Sequence, residues 1–324
     1  MVYTPANVLG DFPPWFLRPL AAVFGLLWGS FVNVVIYRVP REMSVAHPPS
    51  SCGACGARIR PYDNIPVLSW LLLRGKARCC GARISPRYLI VELIGGAIGL
   101  ATLEMVVRAM PSDASLLRAS ALFLAYFALA LGLVAAAFID AEHMYLPDSI
   151  TLGGTVLGLA TASLRGEPIA DALFGAALGF VGVWLPLIVV YARVRGRQGM
   201  GLGDAKLTML AGAWFGWKGA AFVLFAGAMQ GTLSALVIYL VAGKLEEPEA
   251  VRADRDELKL AAAEGDAEAA QILAEDPVLD APPGAGLGQA RIPFGPFLAL
   301  ACLELMFAHE WISEAYRRWF LGGF

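Results

Sequence analysis

The sequence predicts an all-α polytopic membrane protein of about eight transmembrane helices, with a small cysteine-bearing cytosolic module between the first two. Three observations carry that prediction. Of 324 residues, 58% are hydrophobic and 16% charged, with mean hydropathy +0.62, too apolar for an ordinary soluble domain. Uncharged apolar runs at 19–37, 119–139, 172–192 and 219–243 each approach the roughly 20 residues a helix needs to cross the hydrocarbon. Finally, with the amino terminus outward, the inner segments 38–87, 193–206 and 244–291 hold 18 of the 25 Lys and Arg, the asymmetry of the positive-inside rule.

The elements follow in order. Residues 1–38 carry the first helix, and no basic n-region precedes its apolar run, so an anchor rather than a cleavable signal peptide is expected. Residues 39–87 form a polar loop too short for a large core, which something must staple. Four of the five cysteines lie there, at Cys52, Cys55, Cys79 and Cys80. In a reducing compartment such cysteines favour a metal over disulfides, with reduced thiols in a small apolar core as the competing reading. The fifth, Cys302, reads as a small buried hydrophobe.

A membrane core spans 88–243. Residues 88–107 make a helix if Glu92 sits near an interface, paired with Arg87, and the glycine-rich run 149–164 makes another. The stretch 205–217 and the later 292–308, which begins IPFGP, are short and broken by glycine or proline. Such segments persist at membrane depth only beside protein or a water-filled cavity. Residues 244–291 are an acidic cytosolic insertion: 245–290 hold twelve acidic and three basic residues, with a helical centre, ELKLAAAEGDAEAAQILAED, and a flexible tail, APPGAGLGQA. It reads as a solvated helix and linker, or as a partner-docking element. Residues 292–324 hold the last membrane segment. No internal repeat is evident, and net charge −2 carries no nucleic-acid signature.

Two acids stand out. Asp140 closes the run 119–139, where an ionisable group costs roughly 2.5–3.5 kcal/mol at mid-helix and is retained mainly for function. Asp204, in MGLGDAKLTML at 200–210, opens a later segment on the same side. It reads equally as a helix cap or as a partner for Asp140. Two ionised carboxylates about 4 Å apart repel by roughly 4 kcal/mol at an effective dielectric of 20, enough to hold one shared proton on the pair near neutral pH. The ionised member can then activate water while the protonated one polarises a carbonyl. Gly201 and Gly203 would let an extended substrate backbone come close to Asp204. Asp148, after Pro147, reads as an N-cap, Glu142 as solvated, His143 as a polar interface residue and Lys206 as unpaired with Asp204.

Seven ordered motifs add a resemblance: GSFVNVVIYRVP at 29–40, CGAC at 52–55, NIPVLSW at 64–70, ISPRYLIVE at 84–92, FIDAEHMYLPD at 138–148, GMGLGDAKL at 199–207 and IPFGPFLAL at 292–300. Together they resemble the type IV prepilin peptidases, GxGD-type aspartic peptidases of type IV pilus and type II secretion systems. The resemblance implies that Asp140 and Asp204 are catalytic, and that the basic leader of prepilins or pseudopilins is cut at the cytoplasmic face of the bacterial inner membrane. It further implies methylation of the new amino terminus by S-adenosylmethionine, with the cytosolic loop bearing that activity's determinants.

The family's cytosolic module carries two C-x-x-C pairs around zinc. Here the second pair reads KARCC, with Ala77 where its first cysteine belongs. Cys52, Cys55 and Cys80 are then the expected zinc ligands. Cys79, His47 or water completes the set, although adjacent cysteines demand an awkward backbone. Alternatives are a peptidase without methyltransferase activity, an ion-coupled membrane transporter, and an adaptor working through 245–290.

Overall fold

A computed structural model describes residues 13–111, 114–196, 199–243, 248–275 and 292–320, the last with side chains to 308. Among them the regular structure is helical, with no strand beyond two isolated bridges. Among the described residues, five helices are long and apolar enough to cross a membrane: Trp15–Arg41, Pro86–Val107, Leu116–His143, Ile169–Arg195 and Leu202–Ala242. Gly295–Ala308 is apolar but shorter. The protein is a multi-pass membrane protein.

The chain divides into two compact units. The first comprises Met1–Ala135, Ala160–Pro168 and Leu303–Phe324; the second comprises Ala136–Leu159 and Ile169–Cys302.

In the first unit, α1 (Pro14–Arg38) and α2 (Pro86–Ala101) each start with proline in the first turn, where the missing N–H costs nothing. Ser85 caps α2 by accepting the Arg87 N–H, and α2 continues as a π-helical segment, Thr102–Val107. The two helices meet through glycines four apart, Gly25 and Gly29 against Gly95 and Gly99. A Cβ on Gly25 would lie 2.2 Å from the Gly95 carbonyl oxygen, and one on Gly99 2.2 Å from that of Ala21. Small residues at this spacing let backbones touch where lipid offers no hydrophobic drive to associate. The Phe123 and Phe127 rings of α3 (Leu116–His143) stack on each other at 5.6 Å and flank Phe24 of α1.

The second unit repeats the device. It contains the end of α3, most of α4 (Asp148–Arg165), α5 (Ile169–Val183), α6 (Leu202–Ala242) and the start of α9 (Gly295–Phe320). Gly175 of α5 faces Gly212 of α6 so closely that a Cβ on Gly212 would lie 2.0 Å from the Gly175 oxygen. One turn away, Thr208 Oγ1 donates to the Gly179 carbonyl at 2.9 Å. On α4, Gly154 accepts from Trp214 Nε1 at 2.8 Å.

The helix α6 runs 41 residues but is broken at Gly216, whose φ of 68° and ψ of −179° suit glycine alone. This break separates the apolar segments read as 205–217 and 219–243. The insertion is also divided. Instead of one helical centre it forms α7 (Glu249–Ala263) and α8 (Ala267–Glu275), because Gly265 takes φ 100° and Asp266 Oδ1 accepts the N–H groups of Glu268 and Ala269. The APPGAGLGQA tail lies outside the described residues.

Gly212→Val is expected to destabilise the protein by about 1–3 kcal/mol through overpacking. Gly182→Ala, where a Cβ meets nothing within 4 Å, should be neutral or stabilising by up to about 1 kcal/mol through helix propensity. Thermal unfolding of the two variants in detergent checks the contrast, which equal melting temperatures would refute.

Candidate active site and metal centre

Asp140 occupies the last turn of α3, with its carbonyl accepting the N–H of Met144, a left-handed residue at φ 50° that turns the chain back towards α4. Its side chain is buried, 6% exposed, and Oδ2 accepts the Gly295 N–H at 2.8 Å. Asp204 is likewise buried, 8% exposed. It sits in the first turn of α6, whose N-cap is Gly201, and its Oδ2 accepts the Gly201 N–H at 3.2 Å. The amino end of a helix suits that negative charge. The capping role therefore holds, and it uses one oxygen.

The two carboxylates lie in the same unit and within electrostatic range of each other. Leu146, in the turn between α3 and α4, explains how. A Cβ on Gly203 would lie 2.9 Å from Leu146 Cβ, and one on Gly295 would lie 2.9 Å from Leu146 Cδ2 and 2.8 Å from Asp140 Oδ2. One side chain thus packs on both glycines, drawing the Asp204 turn and the start of α9 onto the Asp140 turn. At Gly203 the close approach is made by the protein's own Leu146, while Gly201 is exposed.

The flanking residues differ in part from expectation. Asp148 is the first residue of α4, and its carboxylate accepts from Lys206 Nζ at 2.6 Å; Lys206 thus pairs across the turn rather than with Asp204. Glu142 and His143 are half-buried. Glu92 is buried, 8% exposed, and Oε2 accepts the Val67 N–H at 2.7 Å, because the 62–68 loop folds over the start of α2. Gly295 and Leu146 carry no mark in the sequence that singles them out as site residues, beyond the place of Gly295 in the broken IPFGP segment.

In the loop module, all four thiols converge, their sulfurs within 4.8 Å of one another. Cys52 and Cys80 stand 3.7 Å apart, Cys55 and Cys79 3.3 Å, and Cys79 and Cys80 3.9 Å. Four sulfurs at about 2.3 Å around a tetrahedral zinc would be about 3.8 Å apart, so the donor set fits that ion. His47 is not in the cluster.

The backbone shows why adjacent cysteines can converge. Cys52 N–H bonds to the Ala57 oxygen and Gly56 N–H to the Cys52 oxygen; Ala77 N–H bonds to the Ala82 oxygen and Gly81 N–H to the Ala77 oxygen, all at 2.8 Å. Bridges Ser51 to Arg58 and Lys76 to Arg83 close the two turns identically. The module is therefore a direct repeat offset by 25 residues, with Cys-Gly-Ala-Arg-Ile at 55–59 and again at 80–84, which corrects the expectation of no internal repeat. Ala77 occupies the place of Cys52, and Cys79 supplies the fourth sulfur from within the second turn.

The thiols differ electrically. N–H groups of Ala54 and then Cys55 pull Cys52 down to about 6, whereas the hydrogen bond with Cys55, then desolvation, pushes Cys79 up to about 12. A bound cation favours the thiolate at every position.

The fold and these sites define a class: a multi-pass membrane protein with a buried aspartate pair and a cysteine-knuckle module. Residues 23–106 match the Bacterial Peptidase A24 N-terminal domain and 127–236, spanning both aspartates, the Type IV leader peptidase family. Relatives named Prepilin leader peptidase/N-methyltransferase include those of Myxococcus xanthus (strain DK1622), 34% identical over 93% of this chain and 94% of that one, and of Neisseria gonorrhoeae, 38% identical over 71% and 85%. That of Pseudomonas putida is 37% identical over 68% and 80%. No solved structure matches. The chain belongs to the type IV leader peptidase family.

If Cys79 completes the metal site, Cys79→Ala should lower the zinc retained by the purified protein, and adding Ala77→Cys to that variant should restore it by rebuilding the C-x-x-C pair. Elemental analysis after dialysis against a weak chelator measures this. Undiminished zinc in Cys79→Ala would exclude the residue as a ligand.

Proposed function

We propose that this chain is a membrane aspartic endopeptidase that removes the basic leader of type IV prepilins or pseudopilins and then N-methylates the new amino terminus, using S-adenosylmethionine. The reaction takes place at the cytoplasmic face of the bacterial inner membrane, the side to which the basic segments 38–87 and 193–206 assign the ends of the helices that carry both aspartates.

The carrying observation is the paired burial of Asp140 and Asp204, each with one oxygen tethered by a backbone N–H. Tethering fixes the carboxylates and leaves their remaining oxygens for water and substrate. With one proton on the pair, the ionised carboxylate takes a proton from water as the water oxygen attacks the scissile carbonyl carbon. The other acid donates its proton to the carbonyl oxygen. Collapse of the tetrahedral species breaks the C–N bond, with the proton delivered to the leaving amine. Exposed Gly201, at the mouth of the Asp204 turn, gives the extended substrate backbone room to approach.

For the second activity, the methyl donor supplies an electrophilic carbon. The amine lone pair forms the N–C bond as the C–S bond breaks, sulfur keeps the electron pair as a neutral thioether, and the amine proton goes to water. The four-thiol cluster speaks for zinc in the module and for the bifunctional reading over a peptidase alone. Cys52, Cys55, Cys79 and Cys80 would hold that ion and so fix the loop for this second step.

Asp140→Ala and Asp204→Ala should each abolish leader cleavage of a synthetic prepilin in detergent or liposomes while retaining the wild-type melting temperature. Full cleavage by either variant removes the assignment. Gly295→Ala, which would push on Asp140 Oδ2, is expected to lower kcat by about tenfold or more with little change in KM, the pattern of a displaced catalytic group. A rise in KM alone would mean that Gly295 acts on substrate binding instead.

A further inference from the structure

The loop module does not stop at the end of the helices it joins. α2 opens a span of 22 residues, Pro86–Val107, which at 1.5 Å per residue is roughly 33 Å long and little more than the roughly 30 Å of hydrocarbon it crosses. Its start therefore marks the membrane boundary. Glu92, which accepts the Val67 N–H, stands roughly 9 Å beyond Pro86 along the helix. A helical side chain leans back towards the amino end by only part of a turn, so Val67 meets α2 inside that boundary. Ile90 and Leu93 of α2, on either side of this level, are exposed.

Val67 takes φ 63°, a strained value for a β-branched residue, and its bond to Glu92 holds it there. The chain then enters the short helix Leu68–Leu72. On one side Ser69 is buried and donates to the Tyr62 oxygen, while Trp70 lines a cavity of about 620 Å³. On the other, Leu68, Leu71 and Leu72 share a face, and all three are exposed, Leu72 by 72%. Water is a poor solvent for such a face, and acyl chains are a good one.

The cavity beside it is basic. Arg58, Arg60, Arg78 and Arg83 line it with only Asp63 and Glu92 as acids, and Asp63 is already paired with Arg78 at 2.8 Å. Arg58 and Arg83, equivalent in the two copies of the cysteine turn, have no carboxylate partner among the described residues. Trp70, in the same wall, has its Nε1 buried without a hydrogen-bond partner, and an indole N–H only donates. Surplus positive charge and a spare donor call for an anionic acceptor, and the exposed leucines call for hydrocarbon. A phospholipid supplies both in one molecule, its phosphate matching the paired N–H groups of arginine.

We propose that the module docks on the bilayer, with Leu68, Leu71 and Leu72 among the acyl chains of the adjoining leaflet and the phosphate of a phospholipid in the arginine-lined cavity. The site lies wholly in the first unit, contains neither aspartate and stands apart from the peptidase and methyltransferase readings.

The test uses the full-length, zinc-containing protein in nanodiscs of phosphatidylglycerol with plain or brominated acyl chains, both faces carrying the same lipid. Bromine should quench the emission of Trp70, taken as wild type minus Trp70→Phe, and Leu68→Ser/Leu71→Ser/Leu72→Ser should lower that quenching by about half or more. Absence of quenching in wild type places the segment in water or under another protein and overturns the proposal. For the cavity, phosphorus retained after exhaustive exchange into dodecyl maltoside is measured in the organic and aqueous extracts. Arg58→Gln/Arg83→Gln should lose about one phospholipid per chain, and Arg58→Lys/Arg83→Lys should recover part of it. Equal phospholipid in wild type and the glutamine variant overturns the headgroup site, as does a loss confined to inorganic phosphate in the aqueous extract. Zinc content and melting temperature identify folded variants; where the serine variant does not fold, wild-type quenching decides, and where the glutamine variant does not, Trp70→Phe takes its place in the phosphorus measurement.

Discussion

Two carboxylates held together out of water set the terms for the second unit. Burying an acid is costly unless it is hydrogen-bonded or neutralised, and burying two beside each other adds their mutual repulsion. The chain meets the cost with backbone rather than with basic side chains. Gly295 donates to Asp140, and Gly201 donates to Asp204 from the amino end of a helix. Lysine or arginine in those places would neutralise the pair and remove the shared proton on which acid–base chemistry depends. Lys206, the nearby candidate, is drawn off to Asp148.

That arrangement constrains packing around it. For backbone N–H groups to reach the carboxylates, segments must approach more closely than side chains allow, and glycine stands at each such place. Leu146 seats against Gly203 and Gly295, while Gly175 meets Gly212 where α5 crosses α6. The first unit applies the same rule at Gly25 and Gly95. In lipid, where apolar burial does not drive helices together, close contact and interhelical hydrogen bonds such as Thr208 to Gly179 carry the association. Close backbone approach is thus common to the helix contacts and to the tethering of Asp140 by Gly295.

The cytosolic module solves a different problem. About fifty residues cannot enclose a core of their own. Two copies of one turn, set face to face, instead bring four sulfurs to tetrahedral spacing. Because each turn fixes its backbone through its own hydrogen bonds, the residue that carries a thiol can shift: Ala77 keeps the turn, and Cys79 reaches the cluster from two positions on.

By itself the sequence determined the membrane class, the order of the apolar segments and the candidate acids, because hydropathy, charge asymmetry and the cost of an ionisable group at depth are properties of composition along the chain. Even the break near residue 217 was legible, since glycine marks where a helix can turn. The 25-residue repeat is hard to see in the sequence because only five consecutive residues are identical and one of its ligands is displaced. That Glu92 accepts the Val67 N–H was also hidden, because a backbone N–H leaves no signature in residue type. Gly295 and Leu146 join Asp140 and Asp204 across large separations in the chain, and only tertiary structure decides which glycine has its N–H beside which acid. Spacing along the chain specifies what a segment can be, whereas contact between segments depends on shape, and that exists only once the helices have packed.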